Sequence, residues 1–189
     1  MHVNLKLASC LGWRGLVALM LTLAAARTVA APPAPPSRLA QVPSNTLMMA
    51  MQASGLQRCN TPLKALSDLG LQGSTNNDVL LDWDRQRPAN SPVFALLGVE
   101  TPNGSVAMSL NAAPEADGSC SVSAERISVA PVACKTIAES ELIGYQRFPL
   151  LKQMTVYTQP NDPGSSVSLI NIREGCLIIR RFARFRVAQ

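Results

Sequence analysis

Histidine is almost missing from this chain of 189 residues: the only one is His2, close to the N-terminus. Since His2 falls in a segment that we predict to be removed, the remaining chain has no Ser-His or Cys-His pair, no imidazole base and no histidine metal ligand. The sequence also lacks the Gly-x-Ser-x-Gly, P-loop and dinucleotide-binding glycine patterns. These absences exclude most common hydrolase and dehydrogenase designs, and we predict no cofactor.

Long apolar runs are also missing. The run Gly15–Ala26 has 12 residues, fewer than the roughly 20 that a membrane-spanning helix needs. Lys6 and Arg14 precede this run, and small residues suited to signal peptidase follow it, ending at Ala30. This order predicts a secretory signal peptide over residues 1–30, and therefore a periplasmic or secreted protein with no membrane span in the mature chain. The alternative is an uncleaved anchor.

The net charge becomes small once this leader is removed. The chain has 17 Lys+Arg and 12 Asp+Glu, and Lys6, Arg14 and Arg27 leave with the leader, so 14 basic residues face 12 acidic ones. We therefore expect no nucleic-acid partner. Residues 31–43 begin with Ala-Pro-Pro-Ala-Pro-Pro and are predicted to be a Pro/Ala-rich linker. Residues 44–189 are long enough for one domain with its own core.

Four cysteines remain in the mature chain: Cys59, Cys120, Cys134 and Cys176. In an exported chain, an even number predicts two disulfides, and four cysteines allow three pairings. We favour Cys120–Cys134 with Cys59–Cys176, because the first closes a short loop and the second ties a helix to the last strand. No Cys-x-x-Cys pair and no histidine is present, so no metal site is predicted.

Hydrophobic periodicity predicts helices first and strands afterwards. One helix is expected from about residue 44 to 58, with Ser44 or Asn45 as its cap, and a second from a Thr61 cap to Gly70. A short crossover helix is expected over residues 139–145. Strands are expected at 93–101, 105–111, 120–124, 154–158, 167–172 and 176–185. The predicted fold is α+β, with two N-terminal helices packed on a mostly antiparallel sheet of about five to six strands and a short helical crossover.

Asp82-Trp83-Asp84 is the first candidate site. On a strand, both carboxylates would face one side, about 6–7 Å apart, which is near the separation used in glycosidases. Trp83 would then stack on a sugar. The alternative interpretation is an exposed segment between the helices and the sheet, with Trp83 packed inward.

The arginine-rich C-terminus is the second candidate. On a strand, Arg180, Arg184 and Arg186 would share a face with Phe182. Such a stripe suits an anionic partner such as an acidic protein, lipid head groups or an envelope polymer. The alternative interpretation is that the charges protect an edge strand from pairing between molecules.

These observations favour an exported, non-enzymatic binding or inhibitor-like protein of a bacterial envelope. Its expected partner is an unknown envelope protein or an anionic envelope component. The alternative is a carboxylate-dependent enzyme that acts on cell-wall or other carbohydrate through Asp82 and Asp84.

Overall fold

The structure, a computed structural model, describes residues 44–189. The predicted signal peptide, residues 1–30, and the predicted linker, residues 31–43, lie outside the described residues. The helices are α1 (Thr46–Ala53), α2 (Asn60–Gly70) and α3 (Cys134–Glu141). The strands are β1 (Asn76–Trp83), β2 (Val93–Thr101), β3 (Gly104–Pro114), β4 (Cys120–Ala130), β5 (Gln146–Leu151), β6 (Met154–Gln159), β7 (Asp162–Ile172) and β8 (Gly175–Val187).

All eight strands form one antiparallel sheet in the order β1-β2-β3-β4-β8-β7-β6-β5. The predicted α+β class is confirmed. The predicted inventory, two N-terminal helices on five to six strands, is wrong, because the described residues contain three helices and eight strands. The two strands that were not predicted, β1 and β5, are the two edges of the sheet. β5 contains Pro149 and is exposed along its whole length, so it lacks the alternation that marks a strand.

The sheet consists of two halves with the same architecture. In the N-terminal half, residues 46–130, α1 and α2 precede the meander β1 to β4. In the C-terminal half, residues 134–187, α3 precedes the meander β5 to β8. The last strands of the two halves, β4 and β8, pair with each other and join the two meanders into one sheet.

The helix boundaries follow local capping. Asn45 caps α1, as predicted, by accepting a hydrogen bond from the Met48 N–H at 3.2 Å. This helix ends at Ala53, earlier than predicted, before Gly55 at φ 71°. The second helix ends at Gly70 as predicted but begins at Asn60, so the expected Thr61 cap is wrong. The crossover helix α3 runs over residues 134–141 instead of 139–145.

The four cysteines form two disulfides, but the favoured pairing is wrong. The bonds are Cys59–Cys120 and Cys134–Cys176. Each bond joins the start of a helix to the start of the last strand of the same half. The argument from loop length failed because it did not take the two halves into account, and each half closes its own disulfide.

One face of the sheet, which we call the covered face, carries the helices. On it, α1 packs against β1, α2 against β3 and β4, and α3 against β7 and β8. Alternation along β2 shows the result: Val93, Ala95, Leu97 and Val99 are buried, while the residues between them are exposed. The core of the N-terminal half contains sixteen buried residues and that of the C-terminal half seven.

Candidate binding surfaces

The structure gives Asp82 and Asp84 different surroundings. β1 ends at Trp83, so Asp82 lies in the strand with an exposed side chain, whereas Asp84 begins the following turn. The Asp84 carboxylate accepts hydrogen bonds from the Gln86 N–H at 2.9 Å and from Arg87 Nε at 3.0 Å. These two bonds, the first above all, hold the pKa of the Asp84 carboxyl below its ordinary value. Asp84 is therefore a turn residue that stays ionised.

Trp83 packs against the core, as the alternative interpretation expected. The Arg85 guanidinium lies 5.2 Å from the centre of the Trp83 ring. The indole is therefore engaged with core residues on one side and with a cation near its ring.

Three of the four residues predicted as a stripe on β8 share a face. Arg180 is opposite Arg126, Phe182 opposite Ala124 and Arg184 opposite Val122, all on the covered face. Beyond them, Cys120 pairs with Val187, so β8 contains one extra residue at this point. This bulge takes Arg186, at φ 54°, out of the alternation, and the prediction that it shares the face of Phe182 is wrong.

The arginines of β8 do not protect a sheet edge. β8 lies in the middle of the sheet, between β4 and β7, so the edge-strand interpretation is wrong. Two of the side chains are held by acids: Arg180 pairs with Glu141 of α3, and Arg184 pairs with Asp162. The Arg184 guanidinium also lies 4.4 Å from the centre of the Phe182 ring. Both β8 arginines on the covered face, Arg180 and Arg184, are therefore held by neighbouring side chains.

Sequence reasoning missed Arg126, which faces Arg180 across the β4–β8 ladder. The predicted strand stopped at Ala124, and continuing its alternation by two residues would have placed Arg126 on the covered face. Both arginines border a groove of about 360 Å³ between α2 and β8. Its other lining residues include Leu66, Leu69, Gly70, Met108, Ala124 and Phe182.

The opposite side of the sheet, which we call the open face, carries exposed apolar side chains. Near β1 and β2 they are Leu80, Phe94 and Leu96, which are 63%, 56% and 46% exposed; we call them the first apolar patch. They are neighbours, because Leu80 is opposite Leu96 and Phe94 follows in the next row. The patch lies on the outward side of strands whose alternate residues form the core.

A larger group of apolar side chains lies on the open face around β8. One row crosses five strands through Leu151, Met154, Ile170, Leu177 and Val129, each opposite the next. A neighbouring row adds Phe148, Val156, Ile179 and Ile127. We call these nine residues the second apolar patch. Leu151, Val129 and Phe148 are 68%, 62% and 51% exposed, so no described element covers them.

The open face has an acidic margin at the first apolar patch. Asp78 and Asp82 flank Leu80 along β1, and Glu100 is exposed at the end of β2. Gly98 lies opposite Asp78, and a side chain there would meet nothing within 4 Å. The first apolar patch is therefore bordered by acidic side chains along β1, and Gly98 leaves open space beside it.

Within residues 44–189, the helices are all too short or too polar to cross a membrane. The same part of the chain contains no cluster of three or more histidine, cysteine or acidic side chains that could hold a metal ion. Comparison of the chain with protein-family models, curated proteins and solved structures found no match.

Proposed function

We propose that this chain is an exported, non-enzymatic binding protein of a bacterial envelope, and that the open face of its sheet binds a partner protein. The observation that carries the proposal is the row of apolar side chains from Leu151 to Val129 across five strands. Soluble monomers rarely expose contiguous apolar patches of this kind, and patches with a polar rim mark interaction surfaces. The two disulfides support an oxidising compartment outside the cytosol.

The partner is a protein surface that is apolar at its centre and basic at its margin. Asp78, Asp82 and Glu100 border the first apolar patch along β1 and at the end of β2, whereas Arg181, which lines a pocket with Phe94 on the other side, is paired with Glu125. Complementary charge at a rim steers association and fixes orientation. Gly98 leaves room for a side chain or backbone of the partner to approach the sheet closely. In this proposal, Asp82 contributes to recognition of the partner.

An inhibitor-like role is supported by the stiffness of this surface. Seven antiparallel pairings hold the sheet, and a disulfide fixes the last strand of each half to a helix. A surface that is already ordered loses little conformational entropy on binding. Such preorganisation is what a protein that blocks a partner by tight binding requires.

The carbohydrate-enzyme alternative stays a prediction. Asp84 is held in a turn, and no observation favours catalysis by the pair. Assays of glycan hydrolysis with Asp82→Asn and Asp84→Asn test it directly. Any hydrolysis that persists in both variants excludes the acid pair.

Site-specific photocrosslinking in the native envelope tests the proposed binding surface. A photoreactive residue is placed at Leu96, at Val129 and, as a control, at Met49, an α1 side chain that is 52% exposed. We expect one discrete adduct with the same protein from Leu96 and Val129, and none from Met49. Equal labelling from all three positions, no adduct, or an adduct only with a second copy of this chain would refute the proposal.

The partner identified in this way then allows a quantitative test. Replacing Leu80 and Leu96 together by serine removes the centre of the first apolar patch, and Met49→Ser is the matched control. Because a few buried apolar residues carry most of the energy of an interface, we expect the double variant to raise the Kd at least tenfold. An unchanged Kd would show that the crosslinks report proximity without binding.

A further inference from the structure

We infer that the groove between α2 and β8, on the covered face, is a second binding site and takes an amphipathic anion. The ligand class is a single acyl chain with a carboxylate or phosphate head group. The site lies on the side of the sheet opposite the proposed protein-binding surface. Ligand and partner protein therefore bind to separate parts of the molecule.

The walls of the groove suit an acyl chain. Leu66 and Leu69 of α2 form one side, and Met108, Ala124 and Phe182 belong to the strands below. Its volume of about 360 Å³ is within the range of small-molecule sites. Leu69 is 63% exposed at the mouth, so apolar surface remains accessible there. A bound hydrocarbon chain would remove this surface from water, which is favourable.

A pair of arginines marks the position of the head group. Arg126 and Arg180 are directly opposite each other on adjacent strands and on the same face, an arrangement that is destabilising for like charges. Among residues 44–189, Glu141 is the one acid that forms an ion pair with either of them, and it pairs with Arg180. One positive charge is therefore left over beside the groove.

The uncompensated positive charge belongs to Arg126. It forms no ion pair within the described chain, and its Nε is buried without a hydrogen-bond partner. A buried donor left unsatisfied costs free energy. Arg126 also lines the groove, and its planar guanidinium matches a carboxylate or phosphate, so an anion bound there would neutralise the extra charge.

The apolar walls of the groove and Arg126 together identify the ligand. A small inorganic anion would satisfy Arg126 and leave the apolar walls exposed, whereas an uncharged hydrocarbon would leave Arg126 uncompensated. An amphipathic anion satisfies both. Its head group would lie at Arg126, and its chain would extend along Leu66 and Phe182.

Calorimetric titration of the oxidised protein tests this inference with decanoate, decyl phosphate and decanol, all below their aggregation limits. We expect at least one of the two anions to bind at least tenfold more tightly than decanol. The tighter anion identifies the head group. The inference is overturned if decanol binds as tightly as both anions, or if neither anion binds at millimolar concentration.

Variants locate the ligand in the groove. Arg126→Gln is expected to weaken anion binding at least tenfold and Arg126→Lys to weaken it less, because lysine keeps the charge without the fork. Arg173→Gln, in the exposed turn between β7 and β8, removes the same charge elsewhere and should leave binding unchanged. Equal effects of Arg126→Gln and Arg173→Gln would indicate a general charge effect and contradict the site.

A second variant tests the position of the acyl chain independently of charge. Ala124→Leu places three more carbon atoms on the floor of the groove. We expect it to abolish binding of the anion while circular dichroism shows a folded protein. Full binding by a folded Ala124→Leu protein would place the chain elsewhere and overturn the inference.

Discussion

The two halves of the sheet share one plan but are stabilised to different degrees. Both place a helix before a four-stranded meander and tie the start of that helix to the last strand by a disulfide. The N-terminal half has two helices and sixteen buried core residues, whereas the C-terminal half has one helix of eight residues and seven. At the outer edge of the C-terminal half, every residue of β5 is exposed.

The same architecture is thus stabilised mainly by apolar burial in the N-terminal half and to a larger extent by a disulfide and strand pairing in the C-terminal half. Burial of apolar side chains is the main favourable contribution to folding, and the C-terminal half has less of it. Its disulfide and its pairing with β4 therefore carry a larger share of its stability. The second apolar patch lies mostly on this half, so the strand pairings and the disulfide also keep this part of the proposed binding surface in place.

The largest expected effect comes from removing either disulfide. The loops closed by Cys59–Cys120 and Cys134–Cys176 span 61 and 42 residues, and chain entropy assigns them nearly equal contributions of about 4 kcal/mol. The two cysteines of one bond at a time are replaced by alanine. In Cys134→Ala/Cys176→Ala, we expect the backbone amides of β5, β6 and β7 to exchange faster than those of the other strands. Cys59→Ala/Cys120→Ala should lower the stability of both halves together. Hydrogen exchange measured strand by strand distinguishes these outcomes.

The wild-type protein with both bonds intact is the reference for this comparison. If hydrogen exchange in β6 and β7 of Cys134→Ala/Cys176→Ala is no faster than in β2 and β3, the stability of the C-terminal half does not depend on its disulfide. The proposed difference between the halves would then be wrong.

Matched core substitutions give the next largest effect. Leu110 is fully buried on β3, and Leu169 is 2% exposed on β7. Leu169 also borders a cavity of about 420 Å³ beneath α3, so its surroundings can adjust when its side chain is shortened. We expect Leu110→Ala to lower the free energy of unfolding by about 3–4 kcal/mol and Leu169→Ala by about 2 kcal/mol. Urea denaturation measures both, and equal losses would show that the two cores are packed equally well.

The central strands could be predicted from the sequence because their signals are local. Val93 to Val99 form a nearly continuous apolar run, and Pro102-Asn103-Gly104 and Glu174-Gly175 mark tight turns between paired strands. The edge strands β1 and β5 could not be predicted in this way. Each has a neighbour on one side only, so fewer of its residues must be apolar, and β5 shows no burial pattern at all.

Features that depend on tertiary contacts were beyond the sequence. The disulfide pairing follows from the division into two halves, and that division rests on the joining of β4 to β8. The displacement of Arg186 depends on a bulge that no residue type announces. The groove depends on Arg126 and Arg180 coming together from strands more than fifty positions apart. By contrast, the grouping of Arg180, Phe182 and Arg184 needed only strand alternation.

Substitutions on the open face should change stability far less than those in the core. Leu80 on β1 and Val129 on β4 are 63% and 62% exposed, one in each apolar patch. We expect Leu80→Ser and Val129→Ser each to change the free energy of unfolding by no more than about 0.5 kcal/mol, as is usual for exposed positions. Urea denaturation measures this. A loss comparable with that of Leu169→Ala would mean that the open face is part of the folding core and not free for a partner.

The smallest expected effect is a pH dependence that is present in both halves. The Ser165 hydroxyl and then the Arg184 guanidinium hold the pKa of the Asp162 carboxyl below its ordinary value, just as Gln86 and Arg87 lower the pKa of Asp84 in the other half. A carboxyl with a lowered pKa in the folded state stabilises the protein above its unfolded pKa of about 3.9 and loses that contribution as the pH falls through the folded value. We therefore expect Asp162→Asn and Asp84→Asn each to reduce the gain in Tm between pH 2 and pH 6. Asp82→Asn, which removes the same charge without breaking an ion pair, is the control.

If Asp162→Asn reduces the gain more than Asp84→Asn does, the ion pair between β7 and β8 helps hold the half with the smaller core. Equal reductions would show that the pair acts only locally, because Asp84 belongs to a turn outside the sheet.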